Sequence, residues 1–258
     1  MNTVDLTELT IWGSRFFLAF CRIGGFFVTF VAIRYWIPAT VRILLALALA
    51  LSASFQETIA VQPLCFSVRT LLGVAGELAT GVLLSMTLAV YFGLFVLAGQ
   101  LVGRHMALGL SEIADPGEHG SSTTVVTQVF QLNALGFFFL IDGHLVTFVV
   151  LLESMTTLPP GHFGETLDRS MAMVRLVSWM FGAGLLIALP IITTLLVVNM
   201  VFGCMARTSP GLNILTLGFP LTIPAGVALL YLTVTFMPST LPRLAWYALE
   251  QLKVFTQP

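Results

Sequence analysis

Asp142-Gly143-His144 is the one cluster in this chain with the makings of a reactive pair. A carboxylate can orient an imidazole so that it acts as a general base. Adjacency in sequence does not supply the geometry such a pair needs. No serine in a Gly-x-Ser-x-Gly setting accompanies it. A polar turn at a helix end is the better account. The His-Glu-x-x-His spacing and its helix-borne relatives are absent. His105, His119 and His162 fall in or near polar loops and form no ligand pattern. Cys21, Cys65 and Cys204 lie far apart, in or beside apolar runs, which is neither a disulfide framework nor a zinc spacing. They read as small apolar fillers. The sequence therefore offers no catalytic, cofactor-binding or metal-binding set, and it does not read as an enzyme.

Other polar residues stand out because their neighbours are so apolar. Arg15 and Arg22 are seven apart and share one helix face inside the first apolar run. An arginine at the centre of a lipid-facing helix costs about 2.5–3.5 kcal/mol on insertion scales. Arg15 is near enough to a helix end to snorkel; Arg22 is expected to find a protein partner. Glu77 lies in LLGVAGELATGVLL, flanked by Gly73, Gly76 and Gly81. Small neighbours let a second helix approach, and the carboxylate then needs a donor or a proton. A structural hydrogen bond is preferred over a proton relay. Gly99 and Gly103 have GxxxG spacing, which fits close helix packing. Gln128 and Gln131 are three apart on one helix face, placed to bridge helices or to line a wet lumen.

The elements that must carry these residues follow from composition. Soluble domains carry about 25% charged residues; this chain of 258 carries 9%, with 57% hydrophobic residues and a mean hydropathy of +0.99. So few charges cannot cover a water-facing surface, so the medium is lipid or protein at membrane depth. A formal net charge of −1 and the lack of any basic cluster disfavour nucleic acid. The N-terminus has two acids and no Lys or Arg before Arg15, unlike a cleavable signal peptide, so the chain is expected to stay whole.

Apolar stretches fall at roughly 11–33, 37–56, 64–103, 124–152, 174–206 and 212–237, followed after Pro242 by a tail with amphipathic helical spacing. One mainly helical integral domain is predicted. A crossing needs about 20 apolar residues. Arg42 shortens the second stretch, while the third and fifth exceed one crossing and are each open to a kinked helix or a hairpin. With six crossings, five Arg and Lys residues (69, 169, 175, 243, 253) face four (34, 42, 104, 207), which is no positive-inside bias. Either the crossings number other than six or the chain does not sit across a bilayer in the ordinary way.

Between two apolar runs lies the longest polar stretch, GLSEIADPGEHGSSTT at 109–124, with three acids, Pro116, three glycines and a run of hydroxyls. Read by itself it is a solvent-exposed connecting loop.

Taken in order, GLSEIADPGEHGSS, FFFLIDGHLVTFVVLLESMTTLPPG and SPGLNILTLGFPLTI give the sequence a family likeness. It resembles the FliR family, the R subunit of the flagellar type III export gate, across nearly the whole chain. Asp115-Pro116-Gly117, Gly143-His144, Leu158-Pro159 and Gly218-Phe219-Pro220 carry the resemblance. Asp142 stands where the family often has Asn, and Gly211-Leu212-Asn213 where it commonly has Pro, Gln and a short polar residue. The resemblance implies an all-α fold of membrane-derived helical hairpins that assemble into a multi-subunit helical export channel. It implies a FliP-like part through about residue 206 and a C-terminal part from 207 to 258, where a FliQ-like portion would fall.

It further implies partners: FliP and FliQ closing a channel, FlhB beside them, and unfolded flagellar proteins in transit at the inner membrane of the basal body. The family's loop at Gly109, Leu110, Ser111, Glu112, Ile113, Ala114, Asp115, Pro116, Gly117, Glu118, His119 and Gly120 plugs that channel. Such a segment must be wet and irregular, which its Gly, Pro and hydroxyl content suits. Irregular backbone at membrane depth is tolerated where it is buried in protein or lines a cavity. Arg22, Glu77, Gln128, Gln131, Asp142 and Asn199 are the expected polar contacts between subunits. The alternatives are the equivalent subunit of a virulence-type injectisome and, further off, a secondary transporter, which should show two similar halves.

Overall fold

The computed structural model of the chain describes residues 6–30, 37–55, 67–106, 124–158, 170–208 and 214–256. Eight α-helices and one short 3-10 helix account for the regular structure there, with no strand among the described residues. In order they are α1 (Leu6–Thr29), α2 (Ala39–Ser54), α3 (Val68–His105), α4 (Val125–Leu140), α5 (Gly143–Thr157), α6 (Ser170–Thr208), α7 (Ile214–Phe236), the 3-10 helix Met237–Ser239, and α8 (Leu241–Thr256). The all-α expectation is met.

The third and fifth apolar runs each form one helix, not a hairpin. α3 has 38 residues and α6 has 39, so each rises about 57 Å, well beyond the roughly 30 Å hydrocarbon core. α6 continues across Pro190. Glu8–Thr29, Thr70–His105 and Ala172–Met205 are each long and apolar enough to cross a membrane. α4 and α5 would make a fourth span if taken as one, broken at Ile141–Asp142. The chain is a membrane protein.

The chain folds as two compact units. The first comprises residues 1–90, 142–176 and 245–258. Here α1 packs along α2, whose Ala46, Ala50 and Ala53 are buried; spacings of four and three put these small side chains on one face. Trp12 of α1 meets Phe55 just beyond α2, with ring centroids 6.4 Å apart. Further along α1, Phe26, Phe27 and Phe30 are buried, and Phe27 reaches Phe148 of α5 at 6.0 Å. The predicted amphipathic tail is α8, which buries Ala245, Ala248, Leu249 and Leu252 while Trp246 and Glu250 stay exposed.

The second unit comprises residues 91–141 and 177–244. Its centre is aromatic. Tyr91 of α3 lies 5.3 Å from Phe95 and 6.0 Å from Phe138 of α4, and Phe92 lies 5.5 Å from Phe138. Gly184 brings α6 close to α3: a Cβ there would stand 2.9 Å from the Leu94 carbonyl oxygen. Gly226 does the same for α7 against the buried side chain of Met106.

Candidate functional site

Two local arrangements organise the polar residues. In the first unit, α1 and α3 cross at glycines. A Cβ on Gly81 would run into the Arg22 carbonyl oxygen, and one on Gly25 would lie 2.8 Å from that of Leu78. Only glycine permits backbones this close. The close approach brings Arg22 and Glu77 together: Arg22 Nε donates to Glu77 Oε2 at 2.7 Å, with the two side chains 1% and 3% exposed.

The rest of the guanidinium turns to the end of α5. Nη1 donates to the Ser154 carbonyl and, at 3.3 Å, to its Oγ; Nη2 donates to the Leu158 carbonyl at 2.8 Å. The last carbonyls of a helix lack partners within it and carry its partial negative charge. α5 has no basic residue in its own last turn, so Arg22 supplies the cation from α1. Arg22 and Glu77, expected among contacts between subunits, thus meet inside one chain. The partner at Leu158 was missed from sequence; a helix ending without its own cation is the only trace of it there.

The second arrangement lies in the other unit, where α3 ends and α4 begins. A Cβ on Gly99 would stand 2.5 Å from Thr127 Cα, and one on Gly103 would stand 3.0 Å from Thr124 Oγ1. The hydroxyls of Thr124 and Thr127 share a hydrogen bond of 2.8 Å. The GxxxG spacing therefore does hold a second helix close. Residues 107–123 connect two points that lie side by side. The segment Gly109–Gly120 itself lies outside the described residues, as do His119, His162 and Gly211-Leu212-Asn213.

The remaining expected contacts are at the surface. Gln128, Asp142 and Asn199 are exposed and Gln131 is half-buried. Asp142 forms the turn between α4 and α5 in the left-handed region, at φ 56°, and its carbonyl accepts from Leu145 and Val146. That is the helix-end polar turn expected of the Asp142-Gly143-His144 cluster. His144 packs edge-on to Phe148 at 6.4 Å. Arg15 is half-buried, and its Nε has no hydrogen-bond partner among the described residues. The described residues hold no group of three or more His, Cys, Asp or Glu placed to bind a metal.

Residues 14–246 match the family described as bacterial export proteins, family 1. The chain belongs to the FliR family of bacterial export proteins. Among its relatives, the flagellar biosynthetic protein FliR of Pectobacterium carotovorum subsp. carotovorum is 30% identical over 92% of this chain and 91% of its own. That of Aquifex aeolicus is 28% identical over 87% of this chain and 86% of its own. That of Escherichia coli K12 is 33% identical over 60% of this chain, a match spanning 59% of the E. coli protein. Of the points that carried the resemblance to FliR, Gly143 and His144 open α5, Leu158 ends it, and residues 218–220 fall in α7. Asp115-Pro116-Gly117 and Pro159 lie outside the described residues. As a FliR-family chain it is a subunit of the flagellar export apparatus.

Proposed function

We propose that this chain is the structural R subunit of the flagellar type III export gate in the bacterial inner membrane. It joins FliP and FliQ around a channel for unfolded flagellar proteins, with FlhB alongside. Family membership over residues 14–246 carries this reading. The surface supports it: α6 leaves Phe181, Leu186, Leu196 and Met200 exposed, so further apolar matter must cover it. The chain breaks no bond. It helps close the ring, and the energy for export comes from other components.

The segment 109–120 is the channel plug in this reading. Its supports are the paired anchors Gly99–Thr127 and Gly103–Thr124. A segment joining neighbouring points between Met106 and Thr124 can project roughly 30 Å and return. In this reading Gln128, Asp142 and Asn199, which are exposed, and half-buried Gln131 face sister subunits.

Co-purification with FliP and FliQ, followed by imaging of the particle, tests the assembly; a chain that stays monomeric beside both would end this reading. Deleting residues 110–120 tests the plug. Assembly should persist while the membrane becomes leaky to small ions. Normal conductance and growth in that deletion would remove the plug assignment.

A further inference from the structure

A groove of about 720 Å³ runs through the second unit, between α6 and α7 and ending against the start of α8. Its volume falls in the range of small-molecule sites. On α6 its lining extends from Trp179 to Thr194, a rise of about 22 Å. The opposite wall runs from Leu229 through Thr233 to Thr240 and Leu244.

We infer that this groove is a phospholipid site, with one acyl chain lying between α6 and α7 and the headgroup at Arg243. Three observations converge on that occupant. The first is chemistry. The walls are mostly aliphatic, and the hydroxyls of Thr194 and Thr233 donate back to the carbonyls of Pro190 and Leu229. They place no unmet donor toward the groove from those two positions, so an apolar chain costs nothing there.

The second is charge. α6 has no charged residue between Arg175 and Arg207, and α7 has none at all. The first charge after α7 is Arg243, which is exposed. It stands three residues after Thr240 and one before Leu244, both lining the groove. A cation at one end of an otherwise uncharged slot fits a phosphate at that end. Trp179 lines the same slot, and indoles favour headgroup depth.

The third is length. One leaflet occupies about 15 Å, half of the hydrocarbon core, so an acyl chain from a headgroup at Arg243 fits within the slot. A sister helix would need no charge at one end; α7 lines the slot with Leu229, Leu232 and Thr233, and the small residues of α6 there, Gly182 and Ala183, are adjacent in sequence and lack the four-residue spacing of a packing seam.

Gly182 provides the test. It lines the groove, and a Cβ there meets nothing within 4 Å. A side chain added at Gly182 therefore starts in open space, and Gly182→Phe places a ring in the slot. The full-length chain, purified in mild detergent, is titrated with phosphatidylglycerol and with phosphatidylcholine and weighed by native mass spectrometry. Wild type should retain one lipid per chain and prefer phosphatidylglycerol. Gly182→Phe should lose that lipid at least tenfold. Arg243→Glu, at an exposed position, should abolish the headgroup preference while retaining helical content. Undiminished lipid retention in Gly182→Phe, or an unchanged headgroup preference in Arg243→Glu, would overturn the site. So would a photo-reactive residue at Leu186 that captures a protein, not a lipid, in intact cells.

Discussion

Arg22 and Glu77, 55 residues apart in sequence, form an ion pair of 2.7 Å with both side chains buried. The same guanidinium also caps the end of α5, so one side chain ties three helices. Removing one member of a buried pair leaves an uncompensated charge and costs about 3–5 kcal/mol, whereas replacing both by apolar residues can be neutral. Glu77→Leu should therefore destabilise the chain by about that amount. Arg22→Met with Glu77→Leu should recover at least half of the loss. It should not recover all, because the Ser154 and Leu158 carbonyls keep no cation. Unfolding followed by circular dichroism, as a denaturing detergent is titrated into a mild one, reads the series. A double variant as weak as the single would show that the charges do not govern this node.

Gly24 and Gly25 are neighbours with opposite surroundings. A Cβ on Gly24 meets nothing within 4 Å, while one on Gly25 meets the Leu78 carbonyl at 2.8 Å, and backbone cannot step aside as a side chain can. Gly24→Ala should be neutral or stabilise by up to about 1 kcal/mol through helix propensity. Gly25→Ala should cost about 1–3 kcal/mol by overpacking. Equal effects in the same titration would contradict the close crossing of α1 and α3.

Much of this was legible in the sequence. A lone arginine and a lone glutamate in apolar runs must each be compensated, and glycines beside Glu77 announced the close approach that lets them meet. Spacing alone could not say that they compensate each other, because 55 residues and an intervening helix separate them. Nor could it show that Arg22 reaches α5, since a carbonyl carries no residue-specific signature. Periodicity failed differently on the long runs. A helix of 38 residues and a hairpin of two shorter ones have the same apolar content, and only the continuous backbone of α3 separates them. The amphipathic spacing of α8 was plain because one face meets protein and the other does not.

Asp142 holds a backbone conformation that few side chains accept, with φ at 56°. The left-handed region costs an ordinary residue about 1–2 kcal/mol, while Gly, Asn and Asp tolerate it. Asp142→Gly and Asp142→Asn should leave stability within about 0.5 kcal/mol, as for surface changes without strain. Asp142→Val should lose about 1–2 kcal/mol or more, because a β-branched residue is least suited to positive φ. Near-identical unfolding of the valine and asparagine variants would mean that the turn does not constrain this residue.

The anchors of the 107–123 segment make the sharpest functional prediction. Gly99→Val places a branched side chain where Thr127 Cα already stands 2.5 Å from a single Cβ, so α3 and α4 must separate. Gly103→Ala comes nearest the Thr124 side chain, at 3.0 Å from its hydroxyl, which can rotate at the cost of its bond to Thr127, about 1 kcal/mol. Spin labels at the exposed positions Gln100 and Gln128 should report a longer separation in Gly99→Val and little change in Gly103→Ala. If the anchored segment closes a channel, ion leakage across the membrane should follow the same order. A widened stem without leakage would detach the anchors from the plug. Leakage without widening would place the cause elsewhere in the chain.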